Sequence, residues 1–196
     1  MSQTDFDKEL LASNLLEAKN LTELYKKEKI LTHAKMIALQ ENCVEGKLDY
    51  VHLKAIHYFL FSDVYKWAGK DRYETNIVAK FGKGTTLFTP YDKIPKVSKN
   101  LFNALEVERY FKGQDKAIFA KSAAVFMNGL NILHPFREGN GRVQRIFMEY
   151  LADNADYTLN FKEITADEMQ KASISGANGN LYLMEQIFTK ALNVKS

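Results

Sequence analysis

At 196 residues with 46% hydrophobic positions, the chain has enough apolar material to bury a full core, and one domain over residues 1–196 is expected. A net charge of +3 with acids interleaved argues against direct nucleic-acid binding, and the single cysteine, Cys43, excludes an intrachain disulfide and a cysteine-rich zinc site. No apolar run approaches the roughly twenty residues of a bilayer span, and the first nine residues lack a basic segment leading into an apolar one, so a soluble cytoplasmic protein without a membrane partner is expected.

Apolar spacing predicts a mostly helical, all-α chain with one irregular interruption. Ser13 to Glu17 fall in an amphipathic first helix, followed by helices over Leu21–Leu39 and over Leu53–Tyr65, the latter stopping at Gly69. From Tyr73 to Pro90, β-branched and aromatic residues flank Gly82-Lys83-Gly84, a pattern that predicts a β-hairpin. Helices are expected from Leu101 to Phe111 and from Ala117 to Leu133, with a break at Gly113. Further helices follow over Arg142–Asn154, Ala166–Ser173 and Leu181–Leu192. His57 lies in an apolar helix and suits a core or interface position, whereas His33 and His52 are expected at the surface. None of the three has a second ligand at zinc-pair spacing. The lysines between Lys80 and Lys99 suit either an acidic patch on a protein partner or plain solubility.

The densest chemistry lies in His134-Pro135-Phe136-Arg137-Glu138-Gly139-Asn140-Gly141-Arg142-Val143-Gln144-Arg145. Gly139-Asn140-Gly141 frees successive backbone N–H groups to converge on an anion, and the helix that follows turns its positive end toward the same place. Arg142 and Arg145, three apart, project from one face toward one ligand, and a polyphosphate satisfies both. Glu138 beside bare phosphate would be repelled unless a divalent cation sat between them, which implies Mg²⁺. His134, held out of helical dihedrals by Pro135, is placed to serve as a general base. Phe136 is expected to anchor the loop in the core and Arg137 to be a solvated charge.

This stretch resembles the Fic motif, His-x-Phe-x-Asp/Glu-Gly-Asn-Gly-Arg-x-x-Arg, at every fixed position. Asn131-Ile132-Leu133, the segment Tyr65 to Arg72, and Ser175-Gly176-Ala177-Asn178-Gly179 also resemble Fic-domain sequence. The likeness covers a core of about residues 50–195, with residues 1–49 as a helical extension. It implies the Fic fold, a helical bundle with a small β-hairpin flap. It also implies AMP transfer from ATP to a Tyr, Ser or Thr hydroxyl of a target protein. In those terms His134 takes the hydroxyl proton, Glu138 holds Mg²⁺, Gly139, Asn140 and Gly141 bind the phosphate chain, and Arg142 and Arg145 hold the outer phosphates. The flap, here Thr86, Leu87 and Phe88, would register the target segment by strand pairing. Lys66 and Trp67 would pack beside the nucleotide, with a core tryptophan as the simpler account of Trp67. Asn178 and Asn180 are candidates for contacting the base.

Many Fic proteins carry an inhibitory helix, Ser/Thr-x-x-x-Glu-Gly/Asn, whose glutamate pairs with the second motif arginine, here Arg145. Ser173 and Ser175 have no glutamate four residues later, and Ser13 to Glu17 is followed by Ala18. The chain therefore resembles the stand-alone toxin type, for which a separate small antitoxin supplies the glutamate. Some such relatives act on type II topoisomerases, which names a target to test. Two alternatives remain open: the same site using another nucleotide or phospho-group donor, and a nucleotide-binding interaction module without turnover.

Overall fold

The structure is a computed structural model and describes residues 3–39, 41–78, 82–83 and 86–195. Helices α1 (Gln3–Ala12), α2 (Leu21–Ala38) and α3 (Tyr50–Phe61) come first, followed by strands β1 (Gly82–Lys83) and β2 (Thr86–Leu87). Then come α4 (Ile94–Val107), α5 (Lys116–Leu133), α6 (Asn140–Asn154), β3 (Tyr157–Leu159), α7 (Ala166–Ala177), α8 (Tyr182–Ala191) and β4 (Leu192–Val194). This is a helical assembly with a small antiparallel hairpin, the architecture that the motif's resemblance implies. Several helices begin where a side-chain oxygen replaces a missing backbone acceptor. Asn20 accepts the Glu23 N–H, Asp49 that of His52 and Asp115 that of Ile118, while Thr165 and Glu168 form a reciprocal capping box. Each such cap contributes about 1 kcal/mol.

The apolar helix α5 runs through the middle, packed by α4, α6, α7 and α8. Ala120, Ala123 and Ala124 allow its neighbours to approach closely, and Phe119, Phe126, Met127, Leu130 and Leu133 fill the remaining space. Phe102 stands edge-on to both Phe126 and Phe147, with ring centres 5.6 Å apart in each pair, so α4, α5 and α6 share one aromatic cluster. That packing fixes the C-terminal end of α5 beside the N-terminal end of α6, which is where the motif loop lies.

Several local expectations are corrected. Ser13 to Glu17 are not helical: α1 ends at Ala12, the Asn14 side chain accepts the Leu16 and Ala18 N–H groups, and Glu17 has a φ of 53°. Helix α3 ends at Phe61 rather than at Gly69, and the turns that follow close at Gly69 with a φ of 78°. Among the described residues the hairpin pairs Gly82↔Leu87 and Lys83↔Thr86, and the expected hairpin's residues 79–81 and 84–85 lie outside them. Tyr73–Asn76 instead form a turn, because the Asp71 carboxylate accepts the Tyr73 and Glu74 N–H groups. Helix α4 begins earlier than expected, at Ile94 with Pro95 in its first turn, and gives way to a 3-10 turn at Arg109–Phe111. Leu192 belongs to β4, which pairs antiparallel with β3, and not to the last helix. His52 is buried rather than exposed: its Nδ1 accepts the Leu48 N–H, and its Nε2 bonds the Val44 carbonyl at 2.8 Å.

Candidate active site

Helix α5 ends at Leu133, and His134 takes a left-handed conformation, φ 41° and ψ 60°, while its N–H still bonds the Leu130 carbonyl. Pro135 prevents any continuation. The carbonyls left open at this helix end are gathered by Arg72, which is fully buried. Its Nε donates to His134 O at 2.9 Å, and its Nη2 donates to Thr89 O at 2.7 Å and Leu133 O at 3.2 Å. A cation here also meets the negative end of the α5 dipole. Burial pushes the Arg72 pKa down to about 10, so it stays charged at neutral pH. Thr89 is tied to Ile132 O through both its N–H and its hydroxyl, and the preceding Phe88 lays its ring on the His134 imidazole, with centres 3.6 Å apart and planes within 5°. Of the expected flap residues, Phe88 thus meets the His134 imidazole, while Thr86 and Leu87 form β2, with Leu87 pointing to solvent.

The loop beyond His134 is braced from beneath. Phe136 is buried, as expected, and stacks on His57 at 4.0 Å. His57 accepts the Gly69 N–H at Nδ1, so Nε2 carries the proton and donates to Glu138 O at 3.2 Å. Burial pushes its pKa down to about 3 from an ordinary 6.5. Because the folded value lies below the unfolded one, the unfolded chain binds the extra proton between those limits. His57 therefore lowers stability as pH falls from about 6.5 toward 3. Urea denaturation at stepped pH should show that slope in the parent chain and a flatter one in His57→Gln; equal slopes would remove His57 from the account.

Asn140 closes the loop on itself: its Oδ1 accepts the Phe136 N–H at 2.9 Å, and its Nδ2 donates to Phe136 O at 2.6 Å. The Asn140 side chain is therefore committed to shaping the loop. The N–H groups of Arg142 and Val143 return to Gly139 O, which leaves those of Asn140 and Gly141 as the outward donors at the start of α6. Gly139 holds a φ of 80°. Glu138 Oε1 accepts the Gly139 N–H at 2.9 Å and lies 3.6 Å from Nη2 of Arg142.

The two motif arginines differ in their surroundings. Arg142 pairs with the buried Glu28 at 2.6 Å, donates to the Thr32 hydroxyl at 3.1 Å and lies over the Phe61 ring. Arg145 has no ion pair or hydrogen bond among the described residues. Its pKa is pushed down first by burial and then by Arg142, with Glu149 opposing. Its Nη1 folds back toward Gly141, where even a methyl group would sit only 3.4 Å away.

The remaining expectations fare unevenly. Arg137 is buried and paired with Glu9 of α1 at 2.9 Å, which corrects its reading as a solvated charge. Trp67 is buried, donates its indole N–H to Ser13 and stacks on Tyr65, which places it in the core under His57. Lys66 is exposed, and Asn178 caps the end of α7, the helix whose Gly176 lies against Asn128 of α5. Sequence reasoning passed over Glu28, Thr32 and Arg72. A signal existed for the first two, because a carboxylate in the Leu24, Glu28, Thr32 spacing sits on the buried stripe of α2.

Residues 47–152 match the Fic/DOC family. The chain is 36% identical over 179 residues to the protein adenylyltransferase VbhT of Bartonella schoenbuchensis, across 91% of this chain but 36% of that protein, so it spans about a third of VbhT's length. It is 39% identical over 142 residues to the probable protein adenylyltransferase Fic of Escherichia coli, covering 72% of this chain and 68% of that one. The AMPPNP-bound crystal structure of the VirB-translocated effector BepC of Bartonella tribocorum superimposes with a TM-score of 0.83 at 27% identity, covering 93% of this chain and 92% of that one. The ADP-bound N-terminal Fic domain of a Bartonella quintana effector does so with a TM-score of 0.84 at 28% identity, over 93% and 91%. With the motif, the fold and these relatives in agreement, the chain belongs to the Fic/DOC family.

Proposed function

We propose that the chain is a protein adenylyltransferase that moves AMP from ATP to a Tyr, Ser or Thr hydroxyl of a target protein. The observation that carries this reading is the loop of residues 134–142. Its backbone is fixed at His134 by Arg72, at Glu138 by His57 and at Phe136 by Asn140, while two helix-start N–H groups and Arg145, without an ion pair or hydrogen bond among the described residues, remain for a phosphate chain. Phosphoryl-group transfer asks for this kind of positioning and charge stabilisation. The target hydroxyl oxygen attacks the α-phosphorus, the bond to the β-phosphate breaks, pyrophosphate leaves, and the hydroxyl proton passes to the His134 imidazole.

Glu138 suits Mg²⁺. Its Oε1 accepts the Gly139 N–H and lies 3.6 Å from Arg142, while its Oε2 has no hydrogen bond or ion pair among the described residues. Among the described residues no cluster of three metal-binding side chains competes, so one carboxylate plus phosphate oxygens and water would complete the shell. When bound, the ion neutralises charge on the phosphates. The flap strand β2 would pair with an extended target segment through its main chain, Leu87 and Thr86 facing it from alternate sides. Unrestrained transfer would be harmful, so a small antitoxin-like protein that presents a glutamate to Arg145 is the expected regulator, and a type II topoisomerase is the first target to test.

The test is incubation of the chain with lysate or purified topoisomerase, Mg²⁺, and ATP labelled separately on the α- and γ-phosphates. Protein-bound α-label alone, abolished by chelation of Mg²⁺, is expected. A glutamate-bearing regulator should extinguish it, less so in Arg145→Ala. γ-label on protein would replace AMP transfer by a kinase reaction, and no label with tight ATP binding would favour a module without turnover.

A further inference from the structure

Glu28 lies on the buried face of α2 with its side chain only 5% exposed. A carboxylate so placed is costly unless both oxygens are engaged. Here Oε1 meets Nη2 of Arg142 at 2.6 Å and Oε2 accepts the Tyr65 hydroxyl. Thr32 completes the enclosure: its hydroxyl accepts Nη1 of the same guanidinium at 3.1 Å and donates to Glu28 O at 2.9 Å. The Phe61 ring covers the guanidinium, 4.7 Å from its central carbon. Both the direction and the charge of Arg142 are therefore spent within the fold, by a helix 114 residues away in sequence. Arg145, nearly one turn further along α6, has no such partner among the described residues.

We propose that Glu28 is a positioning residue that withholds the Arg142 charge from bound nucleotide, fixing Arg142 as a strut of the loop and leaving Arg145 as the polyphosphate ligand. The assignment rests on the nucleotide-transfer reading above. Two equivalent arginines three residues apart would both pull on the phosphate chain and allow it more than one register. Only one register presents the α-phosphorus to the incoming hydroxyl, and misplacement by about 1 Å can cost on the order of a hundredfold in rate. Glu28 makes the arginines unequal, so one register is left.

Glu28→Gln keeps the shape of the side chain and can still bond Tyr65, but it releases the Arg142 charge. Calorimetry with a non-hydrolysable ATP analogue should show Glu28→Gln binding about threefold to tenfold more tightly than the parent chain, as the freed guanidinium joins the phosphates. Single-turnover AMP transfer should fall about tenfold or more. The gain in affinity should vanish in the Glu28→Gln, Arg142→Gln double variant, whereas Arg145→Gln should weaken binding in either background. A merely structural role would lower affinity and melting temperature together and would not move affinity and transfer in opposite directions. Should Glu28→Gln fold poorly, Thr32→Val removes the hydroxyl that accepts Nη1 of the same guanidinium and should shift both quantities the same opposite ways by smaller factors. Unchanged or weaker binding in a folded variant, or a gain that survives loss of Arg142, would overturn the assignment. A parent chain that binds ATP yet transfers no AMP would overturn the transfer reading alone, with the affinity measurements still deciding Glu28.

Discussion

His134→Ala is expected to bind ATP within about threefold of the parent chain while losing AMP transfer by about two to four orders of magnitude, the range usual for removal of a general base. The separation of the two effects follows from how the loop is held. Arg72 bonds the carbonyls of residues 133 and 134, groups that remain in the variant, so its grip survives the substitution. The outward N–H groups of Asn140 and Gly141 are fixed by Asn140 and Gly139, not by His134. What disappears is the imidazole proposed as proton acceptor, on which Phe88 stacks. Calorimetry with a non-hydrolysable ATP analogue reads the first quantity and single-turnover transfer of α-label reads the second. Transfer near the parental rate would remove His134 from the mechanism, and a matching collapse of ATP binding would mean that the imidazole serves the loop rather than the reaction.

The division between what was legible in the sequence and what was not follows the range of the interactions. The motif loop could be read because its chemistry is contiguous: base, acid, glycines and arginines lie within twelve neighbouring positions. The helices α2, α5, α6 and α8 could be read because a buried stripe repeats through each. The β3–β4 pair could not, since three residues per strand are too few to show a period. Ser13 to Glu17 has the composition of a helix, but Asn14 bonds the N–H groups of residues 16 and 18, a local competitor that composition does not display. Arg137 and His52 resemble surface residues until their partners, Glu9 and the Val44 and Leu48 backbone, are brought to them by the fold. Asn140 shows the finest distinction. The sequence suggests a place for it in an anion nest, yet whether its side chain faced an anion or closed the loop depended on the path of the chain at Phe136.

Gly139→Ala is expected to destabilise the fold by about 2–5 kcal/mol and to abolish transfer, from two separable causes. The first is conformational: at a φ of 80°, an L-residue with a Cβ costs about 1–2 kcal/mol. The second is steric. An added Cβ would lie 2.3 Å from both Cε2 and Cζ of Phe61, whose ring is fully buried and packed by His57 and Arg142, so it has little room to retreat. Overpacking of that kind costs about 1–3 kcal/mol. Gly113 provides the control that divides the two. Its φ is 79° but a Cβ there meets nothing within 4 Å, so Gly113→Ala should show the conformational cost alone and leave transfer intact. The difference between the two variants in urea denaturation then measures the clash with Phe61. Equal losses would mean that the loop or the ring yields freely, in which case the nest could not be held rigidly enough to fix a phosphate chain. A clearly larger loss at Gly139 would mean that the ring supporting the nest is the same one that carries Arg142, so that the phosphate-binding backbone and the Glu28 strut share a single rigid support.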